Sequence, residues 1–119
     1  MKGSSRRPDQ VAEVVRQVVA DALLTELRDP RIGFVTVTEV RVTNELSVAT
    51  VRVSVMGDAA EQERALEGLT SAAGFLRSRL GKAVTTRLVP EIRFELDQGL
   101  QHAARINQIL GEIRREQGD

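Results

Sequence analysis

Cysteine, tryptophan and tyrosine do not occur in this chain of 119 residues, and histidine occurs once. Without cysteine there are no disulfides, no thiol nucleophile and no zinc ribbon. A lone histidine cannot build a His-cluster metal centre, so only an all-oxygen metal site is left open. Phe34, Phe75 and Phe94 are the only aromatic residues. A base-stacking sheet of the RRM or cold-shock kind is hard to build from them, and any RNA binding has to rest on backbone contacts. Net charge is also lacking, because 17 Lys and Arg balance 17 Asp and Glu. Attraction to nucleic acid or membrane must therefore be local. No run approaches the roughly 18 apolar residues of a membrane span, and the polar opening leads into a segment broken by Glu13 and Arg16. These features predict a cytoplasmic protein with no membrane partner. What is present is ordinary: 41% hydrophobic residues and the length of one domain.

Apolar residues at Val11, Val14, Val15, Val18, Val19, Ala22 and Leu23 recur at helical steps after Pro8, with Asp9 placed to cap. So many valines restrict χ1 and lower helix propensity, so this helix must draw its stability from burying the stripe. Asp29-Pro30 ends it near Leu27. From Phe34 to Val42 the sequence reads as a strand whose apolar phase slips. Val35 and Val37 share one parity, Val40 and Val42 the other, and a bulge near Thr38-Glu39 reconciles them. A turn at Thr43-Asn44-Glu45 leads to the alternating Val51, Val53 and Val55, so the two strands form an antiparallel hairpin. Asp58 and Glu61 have the spacing of a capping box, and a second helical pattern runs from there to Gly81. The small residues Ser71 to Gly74 weaken it and predict a kink or two helices. Pro90 stands where a third strand begins, with Ile92, Phe94 and Leu96 alternating with Arg93, Glu95 and Asp97. Ala103, Ile106, Ile109 or Leu110, and Ile113 give a terminal amphipathic helix.

Three half-apolar strands and three amphipathic helices predict an α+β two-layer sandwich with a three-stranded sheet. The dsRNA-binding domain is disfavoured, because its strands are consecutive; the order suits a type II KH-like fold. The expected organisation is a flexible basic start at 1–8, one domain at 9–114, and a disordered tail at 115–119.

Residues Asp29-Pro30-Arg31-Ile32-Gly33-Phe34-Val35-Thr36-Val37-Thr38 resemble the bacterial ribosome-binding factor A family. The stretches Val51 to Gly57, Ala72 to Arg77 and Arg87 to Asp97 resemble further parts of it in order, as do Arg105-Ile106 and Ile109-Leu110. The resemblance implies a KH-like domain in which an Ala-x-Gly kink at Ala72, Ala73 and Gly74 replaces the usual Gly-x-x-Gly loop. The chain has no Gly-x-x-Gly. It further implies binding to the 30S particle and its 16S rRNA during late maturation, notably in the cold. The chain departs from some members in lacking a long basic tail after Arg114-Arg115.

From Gly68 to Pro90 there is no acidic residue, while Arg77, Arg79, Lys82 and Arg87 are basic. Such residues complement a helix C-terminus, and with the resemblance they are read as phosphate contacts. Arg6 and Arg7 supply a basic arm or merely a solubilising terminus. Arg31 is a further RNA candidate that could equally pair with Asp29 or cap the first helix. His102 invites an enzymatic reading with Asp97 or Ser71 as partners, but without a nucleophile elbow or oxyanion motif it is read as structural or solvated. Glu91, Glu95 and Asp97 share a strand face with Arg93, which suits a solvated charged face better than paired catalytic carboxylates. The reading is therefore a monomeric, non-enzymatic assembly factor with no cofactor. The alternative is a small protein–protein adaptor that dimerises through the hairpin edge.

Overall fold

The computed structural model describes the backbone of residues 2–98 and the side chains of residues 7–98. Element order is α1 (Lys2–Thr25), β1 (Val35–Val42), β2 (Val48–Val55), α2 (Ala59–Ser71), α3 (Ala73–Ala83) and β3 (Glu91–Leu96). The expected terminal helix, His102 and the tail at 115–119 lie outside the described residues, as does the Arg6 side chain.

β2 is the middle strand of a three-stranded sheet, antiparallel to β1 and parallel to β3. Its alternation works as the period-2 rule requires: Ala49, Val51, Val53 and Val55 are buried beneath the helices, while Thr50, Arg52 and Ser54 face the opposite side. The bulge is where the apolar phase slips. Val37 pairs with Val53, Glu39 with Arg52, and Thr38 is the extra residue between them. Both valine pairs of β1 thereby pack against the same core.

The three described helices lie on one face of the sheet. α1 lies chiefly over β1, α2 and α3 lie over β3, and α1 also packs against α3. Val11, Val15, Val19 and Ala22 of α1 meet Leu69, Leu76 and Leu80 in one core cluster. This is the α+β, KH-like sandwich that the element order predicts.

α1 begins earlier than Pro8, contrary to the expected start with Asp9 as cap. Pro8 lies inside the helix and is buried. Proline cannot donate, so this position forfeits one rung of the helical ladder, but its fixed φ fits helical backbone. Burial of its ring and of the valine stripe beyond it offsets that loss.

At the start of α2 the capping box forms as its spacing predicts. The Glu61 amide donates to Asp58 Oδ1 (2.8 Å), and the Asp58 amide donates to Glu61 Oε1 (3.2 Å). Gly57 precedes the cap at φ 129°, where a Cβ would stand 2.9 Å from Glu61 Cβ. Only glycine allows that close fold-back.

The helix break sits at Ala72 (φ −87°, ψ −4°), whose amide reaches back to the carbonyls of Gly68 (3.2 Å) and Leu69 (3.0 Å). Gly74 is not the break. It lies within the first turn of α3, outside the positive-φ region, with open space where a Cβ would stand. Gly74→Ala should therefore raise stability by up to about 1 kcal/mol, the helix-propensity difference, measured by urea unfolding.

Candidate nucleic-acid groove

The break turns α3 so that its first residues stand over the edge of β3. Between them lies a groove of about 510 Å³. Ala73, Gly74, Ile92 and Phe94 give it an apolar lining, and Thr70, Arg77, Glu91 and Arg93 its polar groups. Gly74, with open space where a Cβ would stand, leaves the backbone accessible here.

Backbone pairing also leaves one edge of β3 turned toward this groove. The amides of Glu91 and Asp97 donate to the Ser47 and Val53 carbonyls, at 2.9 and 2.7 Å. In a parallel ladder alternate residues point to opposite neighbours. Ile92 and Phe94 therefore direct their amides and carbonyls away from β2, and β3 has no second neighbour among the described residues.

Arg77 is held in place at the groove, donating from Nη2 (2.9 Å) and Nε (3.3 Å) to the Val89 carbonyl. Those bonds leave the rest of its guanidinium fork for a ligand. Glu91 accepts from Arg93, with Nε to Oε2 at 3.0 Å. The Arg93 hydrogen bond first, then its charge, with a smaller contribution from Arg77, hold the Glu91 carboxyl below the usual range. The groove thus holds two fixed cations and one fixed anion.

The sequence-predicted cations do not converge on this groove. Arg79 turns the other way on α3, pairs with Glu26 and lies over the Phe75 ring, 5.4 Å from its centroid. Lys82 and Arg79 line a different hollow, beside Asp21 and Glu26. Arg87 is exposed in the segment before β3, and Arg7 lines a hollow with Thr85 and Thr86. Arg7, Lys82 and Arg87 form no ion pair with the described side chains.

Arg31 turns inward to its own loop. Its Nη2 meets Asp29 Oδ2 at 2.6 Å and Ser71 Oγ at 3.3 Å, and its amide donates to Asp29 Oδ1 at 2.9 Å. These bonds lower the Asp29 pKa to about 2, the guanidinium hydrogen bond being the largest cause. The same loop sits on Gly68, where an added Cβ would lie 2.8 Å from Ile32 Cγ1. Of the three roles open to Arg31 in sequence, the Asp29 pair is realised. It fastens the loop to the end of α2, one residue before the break.

On the sheet face opposite the described helices Arg52 stands among carboxylates, 3.1 Å from Glu95, 3.7 Å from Glu39 and 3.9 Å from Asp97. Asp97 also accepts from Thr38 Oγ1 at 2.7 Å. The carboxylates of β3 are therefore neutralised by arginines, as the solvated-face reading expects. Sequence reasoning did not single out Thr70, Arg93 or Phe94 as groove residues. The only signal was their position on β3 and beside the break, and which strand edge faces the break is a tertiary fact.

Residues 7–110 match the sequence profile of ribosome-binding factor A. The chain belongs to the ribosome-binding factor A family. A relative from Desulforamulus reducens, also named ribosome-binding factor A, is 44% identical over 113 residues, covering 95% of this chain and 94% of that one. The fold is similar to the crystal structure of ribosome-binding factor A from Thermus thermophilus, at a TM-score of 0.64 and 27% identity, covering 75% of this chain and 94% of the other. It is also similar to a Thermus thermophilus homology model of the factor fitted into a cryo-electron-microscopy map of a 30S complex. There the TM-score is 0.56 at 26% identity, with 76% and 91% covered. Among the described residues no helix is long and apolar enough to cross a membrane.

Proposed function

We propose that this protein binds the immature 30S subunit in the cytoplasm as a monomer, contacts 16S rRNA, and assists late maturation without catalysing a reaction. The observation that carries this reading is the family membership, together with the relative fitted into a 30S complex. The groove beside Ala72 supports it physically, because an apolar floor, an open strand edge and two arginines suit a single-stranded segment of RNA. Arg77, Arg7, Lys82 and Arg87 contact phosphates, while Arg31 and Arg79 act mainly within the protein, through Asp29 and Glu26. The factor works by preferring one rRNA conformation and shifting the population toward it, by no more than its difference in affinity for the two. That help counts most in the cold, where misfolded RNA helices persist longer.

Sedimentation of tagged protein tests this. It should travel with free 30S particles in preference to 70S ribosomes, and equal abundance in both fractions at low salt would overturn the assembly role. With about four phosphates neutralised, log affinity should fall against log salt with a slope of about −3 to −4. A salt-independent affinity would point instead to protein contacts, as a sheet-edge adaptor requires.

A further inference from the structure

Glu91 is out of place in a groove that otherwise suits a polyanion. An ionised carboxylate repels phosphate and only accepts hydrogen bonds, so its place in the lining gives it a different task from that of Arg77 and Arg93. We propose that the groove beside the Ala72 break selects nucleobases bearing an exocyclic amine and disfavours uracil, with the Glu91 carboxylate as the selecting group. This rests on the reading of the groove as a site for single-stranded RNA.

The geometry of the pair supports it. Arg93 holds both oxygens of Glu91 side-on, with Nε to Oε2 at 3.0 Å and Nη2 to Oε1 at 3.4 Å. That fixes the carboxylate plane and leaves one lone-pair direction on each oxygen for another donor. Cytosine, adenine and guanine each offer an amino group to such an acceptor. Uracil presents O2 and O4 on either side of a single N–H, and a carboxylate facing that edge meets repulsion from both. Selection by a fixed polar group in an exposed site is modest, since the wrong base displaces water from the carboxylate and returns no donor, while the Arg93 pair remains.

The other groups of the groove do not discriminate in this way. The amides and carbonyls at the open edge of β3 offer both donor and acceptor, and the Thr70 hydroxyl does the same. Arg77 lies close enough to Glu91 for its charge to act on that carboxyl, so a phosphate contact at Arg77 and a base contact at Glu91 belong to one short stretch of chain.

The test is an NMR titration of the full chain with two RNA tetranucleotides, all-cytidine and all-uridine. The two bases have the same size and differ in the edge at issue. Both should shift the amides of Gly74, Arg77 and Phe94, with the cytidine midpoint about five-fold lower, the effect of one charge-assisted hydrogen bond in a solvent-accessible site. Glu91→Gln should bring the two midpoints together, because an amide both donates and accepts; Glu91 is exposed, so this variant keeps its fold. Equal midpoints in the parent protein, or a cytidine preference that survives Glu91→Gln, would overturn the proposal while leaving the groove as an RNA site. If neither oligonucleotide moves those amides, the groove reading falls and the proposal falls with it.

Discussion

Arg77→Glu is expected to weaken 30S binding by about 10- to 100-fold, because it removes one phosphate contact and sets a carboxylate against the same phosphate. The new side chain would also face Glu91, the carboxyl on which Arg77 now acts. The cost to the fold is small by comparison. Arg77 is exposed and its structural bond runs to the Val89 carbonyl, which water can satisfy, so the loss should stay within about 1.5 kcal/mol. Pelleting with purified 30S at fixed salt, beside urea unfolding of the same preparation, separates the two effects. A folded variant that pellets like the parent protein would remove the groove from the RNA interface, although the family assignment would stand.

Leu76→Ala, one residue earlier, should do the reverse. Leu76 is fully buried and belongs to the cluster that joins α1, the sheet and the broken helix. Truncating a buried leucine loses its transfer free energy and leaves a cavity, costing about 2–5 kcal/mol. Urea unfolding should show a lower midpoint with little change in slope. At a temperature where the variant remains folded, its 30S affinity should stay within about two-fold of the parent, because nothing at position 76 lines the groove. The neighbouring positions therefore divide into one that binds and one that packs. Their substitutions should add independently only if α3 keeps its path, which makes the double variant a check on the geometry of the break.

Much of this fold is legible in the chain because local chemistry and the core agree. The bulge follows from parity alone, since Val35, Val37, Val40 and Val42 cannot share a face without one extra residue. The capping box follows from Asp58 and Glu61, whose reciprocal bonds need no partner from elsewhere. The break was readable to within a few residues, but small side chains at four successive positions do not say which one departs from helical geometry. Ala72 departs, and Gly74, the poorest helix former among them, stays in the helix. Pro8 misled for a related reason, since a proline marks a helix start only when burial beyond it does not favour continuing.

The site was less legible than the fold. The acid-free stretch pointed to four cations on or after α3, but a helix turns about 100° per residue, so Arg77 and Arg79 face nearly opposite ways. One meets β3 and the other α1. Arg31 was open in sequence to RNA, to Asp29 or to the end of the first helix, and the positions of Asp29 and Ser71 show it committed to the loop itself. Arg93 and Glu91 gave the pattern of a solvated strand face, which they are; that they also border a groove with the break follows from β3 lying at the edge of the sheet beside α3.

In the language of alignment, Thr38 is a one-residue insertion that shifts no valine. Without it the remaining residues of β1 would alternate without interruption against Val55 through Ala49, and the hairpin would close as a regular ladder. The inserted threonine instead spends its side chain on Asp97, just beyond the end of the far strand. It also disturbs the outer edge of β1, where a straight strand would offer a second copy of this protein an unbroken template. A relative lacking this residue would keep its core but expose an edge more prone to join another molecule's sheet.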